Sequence, residues 1–404
     1  RADLFAARRE CPAMDAGDIY CAAFIRESCV AIDIHWIRDD VSLAQHCAAW
    51  QQLPFVALDT EFMRVDTFYP IAGLLQVGDG ERAYLIDPLL IRDWQPFAAL
   101  LENPALLKVL HACSEDLEVL LRLTGSLPAP LFDTQLAAAY LNLGFSMGYS
   151  RLVQAVLGIE LPKGETRSDW LQRPLSETQV SYAAEDAVHL AEVYRKLAPQ
   201  LSAEKTAAVL EDGAELISNM RREVQPEELY REAKLAWKLA PQQLAVLREL
   251  CAWREREARA RNKPRSHILR DHCLWPLART QPDNLVSLAR IEDMHPRTVR
   301  QDGNQLLELI KQAAALPEAQ WPAALPEPLP LEASALLKKL KAFAQREAER
   351  LQMAPELMLR KKILDALLKT GYPNGPYQLP EALRGWRREL MGPALLELLA
   401  KETA

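Results

Sequence analysis

The sequence predicts an α/β layer with a mixed sheet over residues 35–205, followed by two small all-α domains. Three observations predict it. Short apolar runs alternate with helical periodicity as far as residue 205. Asp79-Gly80 sits between two of those runs as a hairpin signal, so at least one strand pair is antiparallel. After residue 205 no convincing strand pattern appears.

Taken in order, residues 1–34 have weak periodicity and scattered charge and read as an extension of unknown order. The chain starts at Arg1 rather than Met, so this segment is a fragment, a processing product or an upstream extension. A helix follows over Val41–Trp50, with Asp40 as candidate cap. PFVALDTEF is a buried strand ending in acids, and LLQVGDG (74–80) with RAYLID (82–87) forms the hairpin. LKVLHA (107–112) is another buried strand. Ser114, then Glu115, Asp116 and the apolar series Leu117, Leu120, Leu121, reads as a capped helix. FDTQLAAAYL (132–141) is a strand end running into a helix, and Ser176–Leu197 is a long amphipathic helix. Residues 206–236 form an acidic helical connector. Residues 237–314 read as helices Gln242–Arg261, Asp271–Ala278, Asp283–Ala289 and Gly303–Ala315. Five prolines then make 315–330 a semi-rigid spacer. Residues 331–404 are helical again, near 332–351, 355–369, 380–388 and 391–401.

Composition narrows the class. At ~150 residues per domain, 404 residues give two or three domains. With 49% apolar and 25% charged residues, the chain is neither disordered nor fibrous. No run approaches the ~18 apolar residues of a membrane span, so no membrane partner is expected. The seven cysteines are irregularly spaced with no CxxC pair, which argues against a disulfide framework or structural zinc. Arg8, Arg9 and Glu10 break any leader-like run, and the expected location is the cytoplasm. The net charge of −7 argues on its face against a nucleic-acid partner, but it is unevenly spread. Residues 35–205 hold 13 basic against 22 acidic residues, net −9, whereas 237–314 hold 14 against 9, net +5.

The candidate chemistry is a set of acids. Asp59 and Glu61 end the first buried strand, and alternation puts both on one face. Two anions so placed repel unless protonated or bridged by a cation; alone, the pair is equally an exposed strand end. Asp116 lies in the first turn of its helix, where an acid ordinarily interacts with the helix dipole. Tyr182 and Asp186 are four apart on one helix face, ordinarily a half-buried Tyr beside a surface Asp. Together, four carboxylates from three elements of one domain suit two divalent cations ~3.5–4 Å apart. Mg²⁺ or Mn²⁺ prefers such oxygen ligands.

DTEF, LHACSEDLEVL and YAAEDAVHL resemble the three exonuclease motifs of the DEDD nucleases, and Tyr182 ahead of Asp186 marks the DEDDy type. FDTQLAAAYL and TRSDWLQRPLS are similar to the ribonuclease D family. Residues 237–314 resemble an HRDC domain well, and 331–404 resemble one weakly and in diverged form. The resemblance implies an RNase H-like exonuclease domain that hydrolyses RNA from its 3′ end with two metal ions. The implied products are nucleoside 5′-monophosphates, and the implied substrates are tRNA precursors and other small structured RNAs. It also implies roles: Asp59 bridges both metals, Glu61 and Asp186 complete the tighter one, and Asp116 helps hold the second. Tyr182 orients the attacking water, since a phenol of pKa ~10 is a poor base at neutral pH.

Weaker candidates surround the site. Phe62 could pack against a terminal base, although a core role is the plainer reading; Lys163 and Arg167 could reach phosphate from a loop that is otherwise merely solvated. His111 reads as a hydrogen-bonded core histidine. Arg259 and Arg261 belong to an arginine-rich helix and loop suited to phosphate, or simply to a solvated face paired with Glu255 and Glu257. A DNA-directed exonuclease and a binding scaffold with a degenerate site stay open, because the acids alone do not distinguish RNA from DNA. A monomer is expected.

Overall fold

A computed structural model describes residues 32–161, 165 and 168–403. The strands are β1 (Asp33–Ile37), β2 (Phe55–Met63), β3 (Ile71–Gly78), β4 (Arg82–Ile86), β5 (Leu107–Leu110) and β6 (Leu131–Asp133). They make one sheet in the order β1-β4-β3-β2-β5-β6. β2/β3 and β3/β4 are antiparallel; β1/β4, β2/β5 and β5/β6 are parallel. The mixed sheet thus follows the expected hairpin, whose Asp79 carboxylate accepts from the Glu81 and Arg82 amides.

Helices cover both faces. On one, Val56 and Leu58 of β2 pack with α1 (Asp40–Trp50), α2 (Gln95–Glu102) and α3 (Ser114–Thr124). On the other, Phe55 and Ala57 pack with α4 (Thr134–Tyr140), α5 (Tyr149–Leu157) and α6 (Glu177–Leu197). α7 (Ala203–Arg221) runs beside β6, with Val209 in one core and Ile217 in the other.

A first helical module comprises α8 (Pro241–Ala260), α9 (Arg265–Ile268), α10 (Asp271–Thr280), α11 (Leu285–Ala289) and α12 (Pro296–Ala314) around its own core. A second comprises α13 (Ala333–Leu351), α14 (Pro355–Met358), α15 (Lys361–Lys369) and α16 (Gly385–Thr403). Its buried leucines join the core formed by Phe55, Val109 and Tyr140, so this module and the α/β domain share one interior. The Ala354 amide donates to the Ala139 carbonyl at 2.8 Å, and Lys205 Nζ bridges the Tyr140 and Gln352 carbonyls. The spacer links both interiors, with Leu325 against the first module's core and Leu329 against the shared one. No helix among the described residues is long and apolar enough to cross a membrane.

Several elements depart from expectation. β1 begins at Asp33, inside the segment read as extension. It is an edge strand, half-exposed along most of its length, so its sequence carries no apolar run. Asp39, not Asp40, caps α1 by accepting from the Ser42 amide; Asp40 instead accepts from the Arg92 and Asp93 amides. Ser114 is not the cap of α3, because the cap position is Cys113 and makes no side-chain bond. α12 starts at Pro296, and Gly303 lies within it, where a Cβ would meet Leu285 Cδ2 at 2.7 Å. The two segments expected at 380–388 and 391–401 are one helix running through Pro393, with Met391 and Leu395 buried on either side of the proline.

Candidate active site

The site forms where β2 leaves the sheet. Alternation directs Asp59 and Glu61 to the face that α6 crosses, and the register shifts between Glu61 and Phe62. Small residues bring α6 close: Ala183, Ala184 and Ala187 are buried against the sheet. A Cβ on Gly78 would stand 2.3 Å from the Ala187 carbonyl oxygen. Asp186, one residue earlier, is 5% exposed. Carboxylate oxygens of Asp59, Glu61 and Asp186 lie within 4.8 Å of one another. Gly78→Ala is therefore expected to push α6 outward at a cost of ~1–3 kcal/mol. A displacement of ~1 Å at Asp186 would lower the hydrolysis rate roughly 10²-fold. Thermal unfolding and initial rates check this, and a wild-type rate would sink the spacing argument.

Asp116 approaches from α3, on the opposite face, and stands outside that trio. Thr60, whose side chain alternates to the α3 face, donates its hydroxyl to the Asp116 carboxylate. The turn before α3 is held by Asp133, which accepts from the Ala112 and Cys113 amides at 3.1 Å each. Sequence reading missed both of these supports.

Burial dominates the electrostatics. It raises the Asp59 carboxyl first, and the neighbouring Asp186 raises it further. Glu61 is raised by burial and then by Asp59, Asp186 and Asp116. Asp116 is raised by burial and then by Asp59, against the Thr60 hydrogen bond. For Asp186, burial again outweighs the hydrogen bond from the Tyr182 hydroxyl. Burial, then the Asp186 charge, holds the Tyr182 phenol well above its usual range. Among the described residues no Lys or Arg pairs with Asp59, Glu61 or Asp186. Clustered, uncompensated oxygen donors are what a hard divalent cation requires, so the residues present fit one.

Asp59, Glu61 and Asp186 open into a cavity of about 650 Å³ that is also lined by Phe62, Arg64, His111, Glu115, Tyr149 and Tyr182, whereas Asp116 is not among its lining residues. His111 is hydrogen-bonded, Nδ1 to Thr134 Oγ1 at 2.9 Å, and also faces this cavity. Tyr149 donates to the Asp186 backbone carbonyl at 2.7 Å and had no sequence signal. The segment leading into α6 is anchored by Arg173, which donates to Asp87, Gly73 and Trp170. Lys163 and Arg167 lie outside the described residues.

The remaining candidates stand apart from the acids. Arg261 pairs with Glu257 and with Asp302, so its charge is neutralised inside the first helical module. Arg259 shares the buried Glu255 with Arg265 and lies over the Phe68 ring. That module grips the β2–β3 loop: Asn262 Oδ1 accepts from the Phe68 and Tyr69 amides, and Lys263 pairs with Asp66.

Comparison with known proteins places this geometry. A family model described as 3'-5' exonuclease matches residues 34–202, one for the HRDC domain matches 243–310, and one for the ribonuclease D C-terminal HRDC domain matches 334–395. The chain is 70% identical over 369 residues to ribonuclease D of Pseudomonas paraeruginosa, covering 91% of this chain and 98% of that one. It is 39% identical to ribonuclease D of Escherichia coli, covering 90% and 97%. The crystal structure of Escherichia coli RNase D, described as an exoribonuclease involved in structured RNA processing, superposes with a TM-score of 0.84 at 37% identity. That match covers 92% of this chain and 100% of the other. The chain belongs to the ribonuclease D family and is a metal-dependent 3′–5′ exoribonuclease.

Proposed function

We propose that this enzyme trims tRNA precursors and other small structured RNAs from the 3′ end, using two divalent cations, Mg²⁺ or Mn²⁺. The observation that carries this reading is the trio Asp59, Glu61 and Asp186, with Tyr182 lining the same cavity one helical turn before Asp186 and Asp116 held nearby by Thr60. Asp59 would help to hold both cations. Glu61 and Asp186 would complete one set of ligands and Asp116 would serve the other. When bound, the cations supply Lewis-acid charge that acidifies water and neutralises the phosphodiester. The Tyr182 hydroxyl stays protonated and orients the attacking water, while Phe62 offers an apolar face to the terminal base. Water oxygen bonds to phosphorus and the bond to the 3′ oxygen of the preceding nucleotide breaks. A nucleoside 5′-monophosphate and an RNA shorter by one, with a free 3′ hydroxyl, result. The same reading makes the enzyme a cytoplasmic monomer, with which its buried free thiols at Cys47, Cys113, Cys251 and Cys273 agree.

A 3′-extended tRNA incubated with Mg²⁺ is the test. Stepwise shortening that stops near the mature end, 5′-monophosphate products, loss of activity in EDTA and slow attack on a matched DNA strand are expected. Equal digestion of DNA, or 3′-phosphate products, would overturn the reading.

A further inference from the structure

A second and larger cavity, about 1120 Å³, adjoins the catalytic one: Arg64 and Val65 line both. Its walls are the β2–β3 loop, α3, the end of α7 with the segment after it, and the α8–α9 junction of the first helical module. Six arginines face it: Arg64, Arg122, Arg221, Arg222, Arg259 and Arg265. The acids facing it are Glu118, Glu223 and Asp271, of which Glu118 pairs with Arg64 and Asp271 with Arg254. Arg259 and Arg265 share the single Glu255 carboxylate. Arg122, Arg221 and Arg222 are exposed and, among the described residues, have no carboxylate partner. The lining therefore carries more cationic than anionic groups.

Aromatic rings lie among these charges. The Arg122 guanidinium sits 3.7 Å from the centre of the Tyr69 ring. Arg265 and Arg259 sit 5.1 and 5.5 Å from that of Phe68. Phe68 and Tyr69 meet edge to face at 4.8 Å. Guanidinium plates and aromatic rings both stack on bases, and unpaired guanidiniums take phosphates, whatever the sequence. This chemistry suits a flexible single strand.

We infer that this cavity carries the single-stranded RNA immediately 5′ of the nucleotide being removed, an assignment that rests on the exoribonuclease reading of the adjoining site. The strand passes Arg64, lays its bases on the Tyr69–Arg122 and Phe68–Arg265 surfaces, and places phosphates against Arg221 and Arg222.

The test combines Arg221→Glu with Arg222→Glu, both exposed and unpaired, so the fold should be retained. Binding of a fluorescent ten-nucleotide RNA is measured in EDTA across a salt series. Kd should rise by about tenfold or more, and the slope of log Kd against log salt should flatten by about 1.4, the contribution of two phosphates. With Mg²⁺, the loss of rate should grow with length: under twofold for a dinucleotide, severalfold for the ten-mer. In the unaltered enzyme, 4-thiouridine placed a few positions from the 3′ end should crosslink to the peptide holding Phe68 and Tyr69. Unchanged affinity and slope, or crosslinks confined to other surfaces, would overturn the assignment. Failure of the unaltered enzyme to shorten the ten-mer from its 3′ end in Mg²⁺ would instead strike the reading of the adjoining site.

Discussion

Asp59→Asn is expected to abolish hydrolysis and, in EDTA, to raise the melting temperature. The amide keeps the shape of the side chain but loses the anion that would bridge the cations. The lost transition-state charge stabilisation is several kcal/mol, roughly 10³-fold in rate. The stability change has the opposite sign because the folded carboxyls titrate high. Asp186 is pushed up to about 7 and Asp59 to about 8, by burial first. In the unfolded chain they titrate near ~4. Between those values the folded chain binds more protons than the unfolded chain, so stability falls as pH rises, and Glu61, raised to about 10 by burial first, carries the decline beyond 8. An uncharged Asn removes part of that loss. Thermal unfolding in EDTA from pH 4.5 to 8.5 should show the melting temperature of the wild type falling and that of the variant falling less. Excess Mg²⁺ should rescue the wild type at high pH and the variant far less. A variant less stable than wild type at pH 8 in EDTA would contradict this account.

Asp212→Ala is expected to cost about 3–5 kcal/mol, among the largest effects of any single change in this chain. Asp212, on α7, accepts from both terminal nitrogens of Arg387 at 2.6 and 2.8 Å and from the Tyr140 hydroxyl at 2.8 Å. All three side chains are largely buried where α16 meets the α/β domain. Alanine leaves a guanidinium and a phenol without acceptors in that setting. Asp212→Leu combined with Arg387→Met should recover most of the loss, since removing both charges also removes their desolvation cost. Melting temperatures of the single and double variants decide it. A double variant as unstable as Asp212→Ala would mean that packing rather than charge governs the contact.

These two sites differ in how legible they were. Asp59 and Glu61 follow from strand alternation and Tyr182 and Asp186 from a four-residue helical step, so local periodicity was enough to pair them. Asp116 was identifiable only from its motif, because it arrives from the opposite face and reaches the others through Thr60. Thr60, Asp133 and Gly78 carry no local signature; their roles depend on which backbone or side chain another element brings within a few ångströms. The same limit applies to Arg261, whose partner Asp302 lies on α12 and cannot be inferred from spacing. The sheet and the early helices were readable from apolar runs, whereas β1 was hidden by its edge position and α16, read as two helical segments, is one helix that runs through Pro393.

The shared interior has a consequence for the order of synthesis. Phe55 and Val109 are made early, whereas Leu395 and Leu399, in the same core, are made almost last. Chains fold from the N-terminus as they emerge, so β2, β5 and α6 can assemble while α13–α16 do not yet exist. During that interval Tyr140, the Ala139 carbonyl and Asp212 lack Trp386, Ala354 and Arg387. The nascent α/β domain therefore waits with an apolar flank open to water, and a message truncated within α13–α16 yields a chain with that flank bare.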